Sequence, residues 1–506
     1  MKKVLVAGAA LMLMSGSAAT VHAVHFPTTE PAAKPAAKAE IKPGVVVTGD
    51  ARVRLFYTDD NYGDFGNSTT RTFRNRDGST TVTSTGNYNN NDSDQVNMDS
   101  RVRLNFKGTA AGGAYAFARV RVQENLMGDL DTDTPNGTTN QDNLWADYAL
   151  IGIPFSDTFT LEMGKYRSTY GPMAATHNFF YDDVLLTGAK ATWKIGGVTV
   201  NPFVEWMEES QNYANTSTTV TTTSATGTVT SITRSDTNLN RLEDNDAIRY
   251  GVHAKGKINN DWTLGGMLGY QSDERREDNI LTNLNYKNEG FFGSLYTSGK
   301  AGAFGLIAEL AVTDSGLNNF NVWDDDSDLT YQIGAVDSTI DRIGSDDVGF
   351  GGYVFPNYQI DKLNIGLNLG FTDGGFTPDR AFGFVMMGST DNSRISALRI
   401  GDTGDWIWGG LIAEYSINEA TKLTGNLVYA DVDAWSTRGP AGEGPNNGGI
   451  AYSLDNAWEV SAVLQYTISK GMDVFFSAGY LQPEFESAVL EDDGVFGALT
   501  RFELKF

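Results

Sequence analysis

The sequence predicts an all-β fold, a transmembrane antiparallel β-barrel of about 16–18 strands. Three observations predict it: apolar and polar residues alternate over strand-length segments from residue 44 onward, the connections fall into two length classes, and an export signal precedes a chain with no long apolar helix.

The export signal comes first. Lys2 and Lys3 precede an apolar run from Val4 to Met14, and Val21-His22-Ala23 offers small residues at the usual cleavage positions. This predicts a signal peptide over 1–23. The run is too short for a membrane anchor and breaks at Ser15-Gly16-Ser17. Residues 24–43 are rich in Pro, Ala and Lys and predict an extended periplasmic linker. Residues 44–506 form the barrel domain. No later run approaches the ~20 apolar residues of a membrane helix, but a barrel strand needs only ~9–11.

The alternation is explicit in several segments. Leu363, Ile365, Leu367, Leu369 and Phe371 alternate with Asn364, Gly366, Asn368, Gly370 and Thr372. Trp458, Val460, Ala462, Leu464, Tyr466 and Ile468 alternate with a set containing Glu459, Ser461 and Gln465. A period of two puts each set on one face of a strand, one suited to lipid and one to water. Short connections, such as Gly196-Gly197, Asp361-Lys362 and 418–421, alternate with long ones at about 59–94, 125–142, 166–184, 210–246, 273–284, 314–346, 374–404, 434–455 and 483–493. Short periplasmic turns and long extracellular loops are the asymmetry of outer-membrane barrels. Nine long loops imply eighteen strands, and merging a weak pair near 285–300 gives sixteen. Trp193, Trp206, Trp262, Tyr415, Tyr429, Trp458 and Tyr480 lie near strand ends on the apolar parity, as interfacial girdles do.

The informative charges have the opposite parity. Arg52 and Arg54, Arg101 and Arg103, and Arg119 and Arg121 fall on one face of three successive strands. Facing lipid near the midplane, each would cost roughly 2–4 kcal/mol, so the sequence places them in a wet lumen. Asp147, Glu162 and Glu309 are further lumen candidates. The third long connection, 166–184, is less polar than the others and carries several aromatics, so it predicts a loop folded into the pore. There Asp182 and Asp183 would oppose the arginines across a transverse field, with Arg167 added to the basic wall. The Thr/Ser/Asn/Gly-rich stretches 68–94 and 215–240 read as surface loops. The run Asp324-Asp325-Asp326-Ser327-Asp328 lacks the spacing of a calcium loop and reads as a solvated acidic tip.

These residues carry a resemblance. Ser100-Arg101-Val102-Arg103-Leu104-Asn105-Phe106-Lys107-Gly108 resembles the second-strand motif of the general outer-membrane porins of Gram-negative bacteria, and the likeness runs from residue 44 to the end. Arg103 falls on a pore-wall arginine of that family. Gly164-Lys165 resembles the pair that opens its constriction loop, so Lys165 takes that basic role, and Asp182 and Asp183 resemble the loop acids. Phe502, Leu504 and Phe506 resemble the signal read by the barrel-assembly machinery. Asp147 departs from the pattern, standing where members often carry a wall arginine. The resemblance implies a homotrimer in outer-membrane lipid and lipopolysaccharide.

The function expected from the sequence is therefore a porin, a water-filled channel for passive diffusion of small hydrophilic solutes and ions. A substrate-selective channel, for sugars or anions, is the alternative, followed by a structural or adhesive barrel. The formal charge of −25 falls largely on loops and opposes the basic wall, giving an expected weak cation preference. No cofactor, metal or nucleic-acid partner is expected. Cysteine is absent, and only His177 and His253 remain beyond the linker, neither beside a serine-nucleophile motif, so no enzyme is expected.

Overall fold

Eighteen antiparallel strands close into one barrel. In a computed structural model, the described residues are 43–59, 70–74, 80–85, 95–122, 126–127, 144–172, 179–209, 217–223, 229–235, 246–273, 289–314, 317, 348–374, 376–379, 382–388, 395–401, 404–434, 454–485 and 494–506. The signal-peptide and linker readings and the Asp324–Asp328 run lie outside them. The first six strands are β1 (Gly44–Thr58), β2 (Gln95–Thr109), β3 (Tyr115–Val122), β4 (Leu144–Pro154), β5 (Phe159–Tyr170) and β6 (Tyr181–Ile195). The next six are β7 (Val198–Glu209), β8 (Asp246–Lys257), β9 (Trp262–Asp273), β10 (Gly290–Ala301), β11 (Phe304–Thr313) and β12 (Gly349–Ile360). The last six are β13 (Leu363–Asp373), β14 (Gly404–Asn418), β15 (Thr421–Ala434), β16 (Leu454–Ser469), β17 (Met472–Phe485) and β18 (Val495–Lys505). Leu126–Met127 pairs with β2 beyond the end of β3. Two short hairpins, Thr70–Arg74 with Thr80–Thr85 and Ser217–Thr223 with Val229–Ser235, stand within long connections.

Each strand pairs with its chain neighbours, and β1 pairs with both β2 and β18. That last pairing closes the sheet and removes its edges. The eighteen-strand count holds because the weak pair near 285–300 is real. β10 and β11 are joined by a two-residue turn in which Gly302 has φ +62°, a conformation that a Cβ would strain. Polar caps fix other short turns. Asn259 Oδ1 accepts the Asp261 and Trp262 N–H groups at 2.8 and 2.9 Å, and Asn418 Oδ1 accepts the Ala420 N–H at 2.8 Å.

The inward face follows from one set of contacts. Phe179, between β5 and β6, packs on Phe382 (4.9 Å between ring centres), Phe376 (5.3 Å) and Tyr353 of β12 (5.5 Å). A connection leaving β5 meets β12 through the enclosed space, so Tyr353 points inward. Register carries this assignment around the barrel. Tyr353 opposes Glu309, Glu309 opposes Tyr296, and the row continues through Gly265, Lys255 and Thr199. The opposite face is apolar: Ile151, Leu268, Leu295, Leu310, Ile407 and Leu427 are all more than half exposed. Aromatic pairs such as Tyr57–Phe496, Tyr270–Phe291 and Trp458–Tyr480 sit toward its rims. A closed barrel with an apolar outer belt and aromatic rims is an outer-membrane barrel.

Candidate functional site

The inward face of β18 and β1–β3 carries a basic row. Arg103 opposes Arg121 and Asp50, Arg52 opposes Arg101, and Arg119 opposes Asn105, so the six arginines share one face as their spacing predicts. Arg501 of β18 opposes Arg54 and extends the row.

The row divides by burial. Arg54 and Asp99 are each 1% exposed, and the guanidinium donates to both carboxylate oxygens, Nε at 2.8 and 2.9 Å and a terminal nitrogen at 2.5 Å. Arg121 meets Asp147 at 3.0 and 3.2 Å, also buried. These pairs neutralise one another in place. Arg101 and Arg103 keep 14% and 21% of their surface, sharing Asp50 at 3.8 and 2.9 Å. Arg119 lies over the Tyr148 ring at 4.4 Å and donates to Asn105 Oδ1 at 2.7 Å.

Asp147 reaches the row because β4 is bulged there. Arg119 opposes Tyr148 while Val120 opposes Ala146, leaving Asp147 as the extra residue. A bulge re-aims a side chain without breaking the sheet, so adjacent Asp147 and Tyr148 both meet arginines of β3. Glu162 accepts the Tyr115 hydroxyl at 2.5 Å and lies 3.6 Å from Lys190 Nζ. Glu309 is buried and accepts the Phe179 N–H at 3.3 Å.

Several placements differ from expectation. Lys165 opposes Thr187, which opposes Trp206, an exposed outward residue, so Lys165 and, two residues on, Arg167 occupy the outward row of β5 and not the basic wall. The reason is that 166–170 continues a strand: Tyr166, Ser168 and Tyr170 are its buried inward positions. Likewise Asp182 and Asp183 belong to strand β6, and their side chains lie outside the described residues. Where the connection between these strands is described next to β6, at Phe179 and Phe180, it turns into the lumen and is apolar. Phe179 and Phe180 are fully buried. Phe502, Leu504 and Phe506 lie on the outer face at 43%, 43% and 58% exposure, and the Phe506 backbone exchanges two hydrogen bonds with Gly49.

A second inward segment, described at 376–379, 382–388 and 395–400, was not anticipated. Phe384 lies over Gly410 of β14, Met386 over Gly479 of β17 and Ile395 over Gly497 of β18. Its composition was the available signal. Phe382, Phe384-Val385-Met386-Met387 and Ile395 are as apolar as the connection read as a pore loop and unlike the Thr/Asn loops. Arg501 was also legible, since it alternates with outward Phe502.

Below the inserted aromatics, Glu205 of β7 accepts hydrogen bonds from the Tyr181 hydroxyl and from Ser168 Oγ at 3.2 Å. His253 joins Asn201 at 3.3 Å to Tyr296 at 2.8 Å and stacks on Tyr170 at 4.7 Å. The lumen therefore has an apolar, loop-filled side seated on β10, β12, β14, β17 and β18 and a basic side on β18 and β1–β3. Among the described residues no cluster of His, Cys, Asp and Glu is arranged to hold a metal ion.

No family model and no curated protein matches the chain. Solved structures do. The outer membrane protein opdK from Pseudomonas aeruginosa superposes with a TM-score of 0.44 at 12% identity, covering 91% of this chain and 99% of that one. OprD of the same species gives 0.45 at 9% identity, covering 91% and 95%. A BenF-like porin from Pseudomonas fluorescens Pf-5 gives 0.46 at 11% identity, covering 91% and 98%.

Proposed function

We propose that this outer-membrane barrel is a channel selective for small anionic hydrophilic solutes, in place of the unselective diffusion pore first expected. The observation that carries this reading is the inward basic row. Seven arginines, Arg52, Arg54, Arg101, Arg103, Arg119, Arg121 and Arg501, share it with four carboxylates, Asp50, Asp99, Asp147 and Glu503. The buried pairs consume Arg54 and Arg121, and Arg101, Arg103 and Arg119 retain access to water.

Two further facts support an anionic preference over the weak cation preference that net charge suggests. Of the other inward carboxylates, Glu205, Glu309 and Glu459 are buried, at 0–1% exposure, and the more exposed Glu162 and Glu414 are paired with Lys190 and Lys422 at 3.6 and 3.2 Å. Acidic groups out on the loops are screened beyond about 8 Å at physiological salt, whereas charges bordering a narrow, low-dielectric passage are screened far less. Two inward loops narrow the passage, and selectivity follows when every solute must travel close to fixed charge.

The test is the reversal potential of purified protein in planar bilayers under a salt gradient. Anion-selective sign is expected, and neutralising Arg101 and Arg103 together with glutamine should move it toward the cation side. A wild-type potential of cation-selective sign would sink the reading.

A further inference from the structure

The inward segment, described at 376–379, 382–388 and 395–400, is bracketed by two glycines of positive φ, Gly374 at +62° and Gly401 at +82°. Between them its apolar side chains occupy sockets that only glycine leaves open. A Cβ on Gly410, Gly479 or Gly497 would lie 2.5, 2.5 or 2.6 Å from Phe384, Met386 or Ile395. Such seating is apolar and non-directional. One polar anchor gives it direction. The Glu459 carboxylate of β16, fully buried, accepts three successive backbone N–H groups, from Val385 at 3.1 Å, Met386 at 3.0 Å and Met387 at 2.7 Å. Ser461 Oγ donates to the same carboxylate at 2.6 Å.

Three consecutive amides converging on an anion form a concave site that fits a carboxylate. The partner is part of the wall itself, so the site clamps loop to barrel. The sockets hold the segment only while it is correctly placed, and the flanking glycines absorb a change in backbone direction at either end. We propose that the inward stretches 376–379, 382–388 and 395–400 form a hinged flap, latched in the lumen by Glu459, whose release widens the passage. This rests on the channel reading. The flap covers the inner face of β14–β18, so its departure adds open cross-section beside the basic row.

The chain has no cysteine, so an introduced pair is unique. Met386→Cys with Gly479→Cys places two thiols at a socket contact. In planar bilayers, Glu459→Leu should raise single-channel conductance about twofold and add fluctuating substates, with Glu459→Gln intermediate. Oxidising the Met386→Cys/Gly479→Cys pair in the Glu459→Leu background should return conductance to the wild-type value, and reduction should restore the enlarged state. Unchanged conductance in Glu459→Leu, or a rise that the cross-link does not reverse, overturns the flap. If Glu459→Leu does not assemble, Gly410→Leu, which fills the Phe384 socket, takes its place with the same expectation and control. Wild-type protein that is folded but does not conduct defeats the channel reading. Conduction indifferent to the latch defeats only the flap.

Discussion

Two arginine–aspartate contacts in one row differ sharply in energetic weight. Arg54 and Asp99 are both 1% exposed, so Asp99→Ala strips a buried guanidinium of its carboxylate and should cost about 3–5 kcal/mol, read as a lower denaturant midpoint in lipid vesicles. Arg103 and Asp50 are about one-fifth exposed, so Asp50→Asn should change stability by less than about 1 kcal/mol. Its effect belongs in permeation instead: loss of that carboxylate frees Arg103 and should move the reversal potential further toward anions. Sequence parity found the six arginines because a regular strand has a period of two. It could not foretell which were consumed by partners, because Asp99 comes from across the strand pair and the Asp147 side chain is aimed by a bulge. Lys165 and Arg167 were misplaced for a related reason. Tyr166, Ser168 and Tyr170 bury their inward face under aromatics, so the segment lacks the wet, polar alternation of an ordinary lumen strand and reads as a loop.

Strands and turns were more legible than the segments that fill the barrel. Strands obey local chemistry, with alternation in each segment and caps such as Asn259 and Asn418 at its turns. The inward loops obey tertiary chemistry. Phe179 is placed by Phe376, Phe382 and a wall glycine, Gly351, none near it in sequence. A Cβ on Gly351 would lie 2.3 Å from Phe376 and 2.9 Å from Phe179, so Gly351→Leu should expel both rings. Overpacking of this kind costs about 1–3 kcal/mol. The expected result is a lower denaturant midpoint with strand content unchanged by circular dichroism, because the wall remains paired. For the same reason aromatic rings, Phe179 and Phe180, enter the lumen after β5, while the side chains of the expected acidic pair, Asp182 and Asp183, lie outside the described residues.

For the whole barrel, the outer belt sets tolerance to charge by depth. Leu411 and Tyr415 both lie outward on β14 at 45% exposure, Leu411 near its middle and Tyr415 near its end. Leu411→Arg should cost about 2–4 kcal/mol in vesicle refolding, and Tyr415→Arg about 0–1. A soluble barrel would show no such gradient. Fold class and strand range were readable at this scale because a closed sheet in lipid repeats one constraint eighteen times. Closure itself has a kinetic consequence. Every other strand pairing joins neighbours along the chain, but β1 and β18, matched from Asp50↔Lys505 to Thr58↔Gly497, stand at opposite ends of the domain. Until that seam forms, two unpaired edges stay open to other chains. Bringing such distant segments together is the slowest kind of contact a chain makes. The growing sheet therefore stays vulnerable to aggregation until its final pairing, and the rate of seam formation, more than the stability of any hairpin, governs the yield of folded barrel.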